Sequence, residues 1–445
     1  MMDRRFLVVL LGGLLLISTS CSDPTGVGSE LVGSGGQGTP EVYEVLPDTF
    51  GTDTSPALTG LSLSLSNIQN NNRSWRFLAG TVKDPISGTI ETEGYVDFLG
   101  TEPRSGTLTI DPADSLDAEL RLQPTYFHGD TLSTYEVNLF EVRDEADMGR
   151  APADTSFDVQ RQLGTTFSVT GRQLTDSLVT LPLPESWIRD HIDAIQSDTF
   201  GTDVNGFKIA AANEPSAADR QVVVGFDLNS TTLRVAATED TVDFQALKSF
   251  THIERRGAPE NPLEDRVLLQ DGAGQGLFVE WDYDRPVFTD TLKDTPLNTA
   301  EITVPIDSTT MRSSIAGEPS FVRPDVNGYR VFATRADDTP TCNSLGLPQR
   351  ADDSDTCILF TNTTAAPGAA LVTSEISFTI FERALFETPL FTRFRFEIAN
   401  RTSANASAQS TIQRGLPSTL PVLVRTDPSL AKENLPRATL VVTPL

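Results

Sequence analysis

Hydrophobic and polar residues alternate along most of this chain with a period of two. The alternation is clearest in short runs bounded by Gly, Pro or Asp. They are LSLSLS (61–66), AELRLQ (118–123), YEVNLFEV (135–142), LVTLPL (178–183), QVVVGFDL (221–228), TLRVAA (232–237), GLFVEW (276–281), AEITVPI (300–306), YRVFAT (329–334), FRFEIA (394–399) and ATLVVT (438–443). Many short alternating runs with turn residues between them predict the antiparallel strands of β-sandwiches.

Helical spacing occurs in two places. PESWIRDHIDAIQ (184–196) starts with Pro, which suits the first turn of a helix, and places its Trp and Ile residues on one side. FERALFE (381–387) shows the same spacing more weakly. The chain is therefore predicted to be all-β, with two short helices.

The order of strands around the first helix recurs around the second at a spacing of roughly 180 residues, as in an internal duplication. This predicts two tandem antiparallel β-sandwich domains, each with one short helix. The pattern of two strands, a helix and a strand resembles the jelly-roll modules of secreted glycan-binding proteins, so the sandwiches are expected to be jelly-roll-like. The predicted boundaries are a lipoprotein signal peptide at 1–20, a flexible tether at 21–45, domain 1 at 46–250, a linker at 251–265 and domain 2 at 266–445.

The N-terminus carries an export signal. Arg4 and Arg5 precede an apolar or glycine run from Phe6 to Ile17, which is too short to span a bilayer. Small residues then lead to Cys21, and this arrangement resembles the lipobox of bacterial lipoproteins. The resemblance implies that Cys21 is acylated and anchors the protein in the bacterial outer membrane, on the cell surface or the periplasmic face. Plain signal cleavage that leaves a free cysteine is the alternative.

The cysteines and the net charge limit which covalent links, metals and partners are expected. Cys342 and Cys357 lie in a polar loop of an exported chain, so a disulfide between them is predicted, and no nearby Cys or His supports a zinc site. The formal net charge of -27 disfavours nucleic acid and anionic lipid as partners. No cofactor or metal is predicted.

Two glycine-containing stretches resemble ligand loops at first sight. GTVKDPISG (80–88) is interpreted as a hairpin corner, because Asp84 and Pro85 favour a turn and Gly88 can adopt a positive φ. QDGAGQG (270–276) lacks the GxGxxG spacing and precedes a strand, so it is interpreted as a glycine-rich hairpin.

Catalytic residue types are sparse. His128, His191 and His252 are far apart in sequence, no nucleophile elbow or zinc-helix motif accompanies them, and all three are predicted to be solvated at the surface. In VEWDYDRP (279–286), Glu280 and Asp282 would share one face of a strand, and Trp281 and Tyr283 the other. Alternation favours core packing of the aromatics. A carbohydrate-stacking surface and a carboxylate pair of a glycosidase are the alternatives, so these four residues form the candidate ligand surface.

Several stretches, taken in order, resemble the bacterial surface lipoprotein family numbered 4270 among the domains of unknown function. They are DPTGVGSELVG (23–33), LAGTVKDPISGTIETEGYV (78–96), DSLDAELRLQPTYFHGDTLSTYEVNLFEV (114–142), VLLQDGAGQGLFVEW (267–281), NTAEITVPI (298–306) and RATLVVTPL (437–445). The resemblance implies a β-rich fold in the cell envelope and brings no catalytic residues.

Together these features predict a non-enzymatic binding protein for glycan or surface polymer. A structural or assembly role with another outer-membrane protein is the alternative, and hydrolysis is the minor one.

Overall fold

The structure is a computed structural model. It describes residues 39–53, 76–98, 104–105, 108–111, 114–144, 156–174, 177–197, 200–216, 219–238, 240–256, 266–270, 276–324, 329–334, 357–362, 371–373, 381, 385, 392–398, 419, 421–427 and 429–443.

Most of the described residues lie in β-strands. In chain order the strands are β1 Glu41–Val45, β2 Thr49–Asp53, β3 Arg76–Asp84, β4 Gly88–Asp97, β5 Arg104–Ser105, β6 Asp117–Asp130, β7 Thr134–Val142, β8 Val159–Thr170, β9 Val179–Leu183, β10 Phe207–Ala211, β11 Val222–Ala236, β12 Thr241–Gln245, β13 Lys248–Arg256, β14 Arg266–Gln270, β15 Gly276–Glu280, β16 Leu297–Val304, β17 Phe321–Val322, β18 Tyr329–Thr334, β19 Cys357–Asn362, β20 Leu371–Thr373, β21 Arg393–Ile398, β22 Pro421–Arg425 and β23 Arg437–Val442. The strand pairs are antiparallel and build curled sheets, so the all-β sandwich prediction is confirmed.

Short helices connect some of these strands. They are α1 Gly171–Leu174, α2 Glu185–Asp190, α3 Ile192–Gln196, α4 Phe200–Asp203 and α5 Ser308–Ser313, with a π-helical turn at Val287–Thr291 and a 3-10 turn at Lys432–Asn434. The predicted helix at 184–196 is confirmed as α2 and α3, although the first domain holds more than the one short helix expected. Phe381 and Leu385 of the second predicted helix are helical and buried.

The period of two produces the strands because one face of each sheet is buried. In β6, for example, Ala118, Leu120 and Leu122 are buried, whereas Glu119 and Arg121 between them are more exposed. All the alternating runs from residue 118 onward fall on strands, which confirms that part of the prediction. The run at 61–66 lies outside the described residues.

The strand pairing is repeated in the two halves of the chain. In the first half β11 pairs with β3 and β6, β10 pairs with β4 and β7, and β6 and β7 also pair with β9 and β8. The second half repeats these six pairs in the same order. They are β14–β22, β23–β16, β15–β21, β18–β21, β16–β20 and β18–β19. The recurrence agrees with a duplicated sandwich.

The leading strands of each half cross over to the other half. Strand β1 pairs with β23, and β2 pairs with β15. Strands β12 and β13, which precede the second half along the chain, pair instead with strands of the first half. Strand β12 pairs with β11, and β13 pairs with β4. We call residues 76–256 the first unit, and residues 41–53 together with 266–443 the second unit. The small strand β17 is an exception, since it joins β6 of the first unit.

These pairings correct the predicted boundaries. The tether cannot run to residue 45, because Glu41–Val45 is a strand, and domain 1 does not begin at residue 46, because Thr49–Asp53 belongs to a sheet of the second unit. The linker predicted at 251–265 starts too early, since β13 continues to Arg256. Contiguous boundaries do not allow for this exchange of strands, although neighbouring strands pair with each other in most folds.

Each unit has its own hydrophobic core. The first core is built from residues between Phe77 and Ala246, around the buried Trp187. The second core is built from residues between Val267 and Val442, around the buried Trp281, and it includes Val45 from β1. Strand β1 is therefore part of the second core as well as of its sheets.

The two strands that flank the glycine-rich stretch at 270–276 do not pair with each other, as a hairpin would require. Strand β14 on one side of it pairs with β22, and β15 on the other side pairs with β21 and β2. The loop therefore connects strands of two different sheets. The prediction was wrong because sequence spacing gives no information on which partner each flanking strand selects.

Candidate functional site

The aromatic half of the candidate ligand surface is inside the second core. Trp281 has no exposed surface, and its indole Nε1–H donates to the carbonyl oxygen of Val45 at 3.3 Å. Tyr283 is 6% exposed and packs against the rings of Phe288 and Phe381. Neither ring can stack on a sugar, so the core-packing alternative is confirmed and the stacking surface is wrong.

The acidic half lies outside the core. Glu280 is bound by Arg393, whose Nη2 donates to Oε2 at 3.0 Å. Asp282 is exposed, and its Oδ1 accepts from the amide of Asp284 at 3.0 Å. The Glu280 carboxylate is paired with the Arg393 guanidinium, and the Asp282 carboxylate supports a local turn. The two carboxylates therefore do not form a cleft together with the buried aromatic rings.

The predicted covalent sites are not tested by the structure. Cys21 and Cys342 lie outside the described residues, and of Cys357 only the backbone, at the start of β19, is described. Lipidation and the disulfide therefore stay predictions.

The histidines are not the solvated surface residues that were predicted. His128 has no exposed surface, and the His191 side chain is 16% exposed. His252 is half-buried on β13, in register with Glu93 of β4. The alternation in β6 carried part of the missed signal, because His128 lies in step with the buried Tyr126. A register shift just before Tyr126 places Tyr126 and His128 on the face opposite the buried leucines of that strand.

His191 belongs to a polar cluster at the helix of the first unit. Its Nε2 lies 2.8 Å from Oε1 of Glu141, and its Nδ1 lies 2.8 Å from the carbonyl oxygen of Trp187. Burial lowers the pKa of His191, but the bonds to Glu141 and to Trp187 outweigh burial, so its pKa is raised. Both ring nitrogens are bound within the protein, so this histidine is held as a structural cation rather than as a free base.

A second polar cluster is buried between the two units. His128 contacts Asp84 through Nε2 at 3.0 Å and Thr419 through Nδ1 at 2.7 Å. The hydroxyl of Tyr126 lies 3.0 Å from Oγ1 of Thr419, and Arg323 donates from Nε to Oδ2 of Asp84 at 3.0 Å. We call these five residues the joint. Asp84, Tyr126 and His128 come from the first unit, whereas Arg323 and Thr419 come from the second half of the chain.

The order Asp, His and Thr in the joint matches the residue types of a nucleophilic triad, but the arrangement is closed. Asp84, His128 and Thr419 have no exposed surface, and the Thr419 amide donates to the Tyr126 hydroxyl at 3.0 Å. A substrate would have to displace these bonds in the interior. The geometry therefore suits a structural connection and does not suit nucleophilic catalysis.

Asp84 is the charged centre of the joint. Its Oδ1 accepts from the amides of Ile86 and Ser87 at 2.7 and 3.0 Å. Burial raises the pKa of this carboxyl, but the bond to His128 and the charge of Arg323 outweigh burial, and the pKa is held well below its usual range. The predicted hairpin corner is confirmed, with Gly88 at a φ of 82°, and the corner also forms the contact between the units.

Hydrophobic and ionic contacts extend the joint. Ile86, at the tip of the corner, packs with Leu268 of β14 and Leu423 of β22. Beside it, Nε of Arg220 lies 2.7 Å from Oε2 of Glu318, which connects the first unit to the segment before β17. Both contacts place residues of the second half of the chain directly on the first unit.

An open polar cleft lies on the first unit. Its volume is about 310 Å³, and it is lined by Thr81, Thr89, Glu91, Ala211, Ala212, Asn213, Glu214, Pro215 and Arg256. The residues come from β3, β4, the end of β13, the end of β10 and the segment after β10. Because the cross-strand register places Thr89 opposite Arg256 and Glu91 opposite Glu254, the charged side chains gather at one edge of the sheet.

Arg256 is the central charge of the cleft. Its Nη1 lies 2.8 Å from Oε2 of Glu91 and 3.9 Å from Oε1 of Glu214, and its Nη2 lies 2.9 Å from Oε2 of Glu254. Burial raises the pKa of Glu91 most, the charge of Arg256 opposes this effect, and Glu93 and Glu254 add to it, so the pKa is raised overall. The side chain of Glu214 is 90% exposed and reaches into solvent at the rim.

The cleft presents hydrogen-bonding groups of both kinds. Carboxylates accept, the guanidinium and amide groups donate, and threonine hydroxyls do both. No aromatic side chain is among the residues that line it. Four lining residues were not predicted from the sequence: Glu91, Asn213, Glu214 and Arg256. Their positions along the chain give no sign that a sheet edge and the segment after β10 meet.

Among the described residues no group of His, Cys, Asp and Glu side chains is arranged to hold a metal ion. No helix within those residues is long and apolar enough to cross a membrane. No family model, curated protein or solved structure matches this chain. The resemblance to the surface lipoprotein family stays a prediction.

Proposed function

We propose that this protein is a lipid-anchored, non-enzymatic binding protein of the bacterial outer membrane, and that the cleft binds a polyhydroxylated segment of a glycan or surface polymer. The observation that carries the proposal is the cleft itself. Its volume falls at the lower end of the range of ligand sites, and its lining combines donors and acceptors in the open. A Cys21 anchor and a Cys342–Cys357 disulfide are parts of the same proposal.

The form of recognition follows from the lining. A sugar hydroxyl both donates and accepts, so it can join a carboxylate such as Glu214 to the guanidinium of Arg256. Stacking on an aromatic ring contributes nothing, because the lining has none. We therefore expect a ligand held by hydrogen bonds, with modest affinity for each sugar unit and stronger binding to a repeating polymer.

The hydrogen bonding of the two histidine clusters described above argues against hydrolysis at either of them. His128 and His191 each have both ring nitrogens bound within the protein. General base catalysis needs a nitrogen or carboxylate within reach of a substrate proton. We propose binding rather than turnover on this ground.

The test is a binding titration with polysaccharide from the cell's own envelope, alongside a glycan array. The variant Glu214→Gln removes a rim acceptor charge and should weaken binding roughly tenfold, which corresponds to about 1.4 kcal/mol. The matched control Asp282→Asn neutralises an exposed acid on the other candidate surface and should bind like the wild type. Equal weakening by both variants, or no binding by the wild type, contradicts the proposal.

An assembly role is the second candidate, and the joint is the observation that favours it. A buried polar cluster that fixes two units suits a rigid spacer between a membrane and another envelope protein. Crosslinking in native membranes should then capture one stoichiometric protein partner. A captured partner together with no glycan binding would select this role over the first.

A further inference from the structure

The position of the anchor in the sequence does not match its position in the fold. Cys21 precedes the first unit along the chain, so a domain-by-domain arrangement would place the first unit next to the membrane. The first described strand after Cys21 is β1, however, and β1 pairs with β23 in the second unit. The anchored end of the chain therefore enters the second unit first.

The two leading strands are held in the second unit along their whole length. Glu41 to Val45 pair with Val442 to Ala438, and Thr49 to Asp53 pair with Glu280 to Gly276. Each antiparallel pair contributes backbone hydrogen bonds that a loose tether would lack.

The connection between β1 and β2 is also bound by side chains. Arg285 donates from Nη2 to the carbonyl oxygen of Leu46 at 3.0 Å, and its Nε lies 3.1 Å from Oδ2 of Asp48. The same Asp48 oxygen accepts from the amide of Asp282 at 2.7 Å, and the Asp48 amide donates to the carbonyl oxygen of Glu280 at 2.8 Å. Val45 is 5% exposed, within the second core.

We propose that the second unit is the membrane-attached unit and that the first unit, with its polar cleft, is joined to the membrane only through the second. The inference rests on the proposed anchor at Cys21. Residues 21–40 would have a root-mean-square length of about 25 Å as a flexible chain of twenty residues. That length holds the β1 end of the second unit close to the headgroups.

The arrangement makes a specific claim about a cut chain. A break between residues 53 and 76 separates a short lipidated fragment from almost all of the protein. If β1 and β2 were only a tether, the large fragment would leave the membrane. Because the small fragment contributes two strands and Val45 to the second unit, the large fragment should stay attached without a covalent link.

The experiment uses the full lipidated protein in membranes, with a recognition sequence for a site-specific protease inserted between residues 60 and 61. After complete cleavage the large fragment should sediment with the membranes, and it should be released when urea unfolds the second unit. The matched control carries the same sequence between residues 33 and 34, where cleavage should release the whole protein.

Release of the large fragment by the cut at 60, at the rate of the control, overturns the inference. A control protein that stays in the membrane after cleavage at 33, or an uncut Cys21→Ala protein that stays bound, contradicts the proposed lipid anchor instead. The two failures are therefore distinguishable.

Discussion

Replacement of Asp84 by Asn tests the joint most sharply. The carboxylate is fully buried and is bonded to Ile86, Ser87, His128 and Arg323. The carboxamide introduced by Asp84→Asn can still accept from the two backbone amides through one oxygen, but its NH2 group would face the donors of Arg323 and His128. The guanidinium of Arg323, which is 6% exposed, would lose its counter-charge.

The magnitude follows from that loss. Removing one partner of a buried ion pair costs about 3–5 kcal/mol, and the retained backbone bonds place Asp84→Asn near the lower end of that range. For a unit of roughly 200 residues, a loss of about 3 kcal/mol lowers the unfolding temperature by about 6–12 °C. The control Asp282→Asn changes an exposed acid and should stay within about 0.5 kcal/mol of the wild type.

The pH dependence gives a second measurement on the same variant. The pKa of Asp84 is lower in the folded protein than in the unfolded chain, so its contribution to stability is present above the unfolded pKa of about 4 and declines as the pH falls below that value. The difference between the wild type and Asp84→Asn should therefore be constant near neutral pH and shrink in acid. Urea unfolding between pH 3 and pH 7 measures it. A neutral-pH difference below about 0.5 kcal/mol, or one that grows in acid, would refute the reasoning.

Three further predictions follow from other residues. Trp281→Ala should lower the unfolding free energy by about 3–5 kcal/mol, because it leaves a cavity at a buried site, and the folded fraction should still bind glycan. Loss of glycan binding without loss of stability would contradict core packing of Trp281. Because the pKa of His191 is raised, its ion pair with Glu141 stabilises the folded protein below about pH 6.5 and is lost as the pH rises through the folded pKa. Thermal unfolding should therefore show a larger loss of stability for His191→Gln at pH 5.5 than at pH 8.5. An equal loss at the two pH values would contradict the ion pair. Non-reducing mass spectrometry should find Cys342 and Cys357 joined, and the double serine variant should be less stable by about 3 kcal/mol; two free thiols in the mature protein would rule the disulfide out.

Alternation predicted the individual strands well, because a half-buried strand must place apolar residues on one face. It also placed His128 in step with the buried Tyr126, although both lie on the face of β6 opposite its leucines. The partners of His128 could not be read in the same way. Thr419 is 291 residues away, and Arg323 is 239 residues from Asp84, so only the folded chain brings these groups together.

The exchange of leading strands was hidden for a related reason. The order of the strands can be read from the sequence, but residues such as Val42 and Tyr43 in β1 do not indicate which sheet the strand joins. The predicted domains were contiguous segments, whereas β23 and β15, which pair with β1 and β2, lie more than 220 residues away along the chain. The polar cleft shares this origin, since Glu91 and Glu214 meet through the register of distant strands.

The most direct test of the account is a hydrogen-exchange footprint of the protein with and without envelope polysaccharide. The account predicts slower exchange in the ligand complex at 89–91, 211–215 and 254–256, where the cleft is formed, and unchanged exchange at 280–284. Protection confined to 280–284, or no protection at the cleft when the polymer is saturating, would contradict the assignment of the cleft as the binding site.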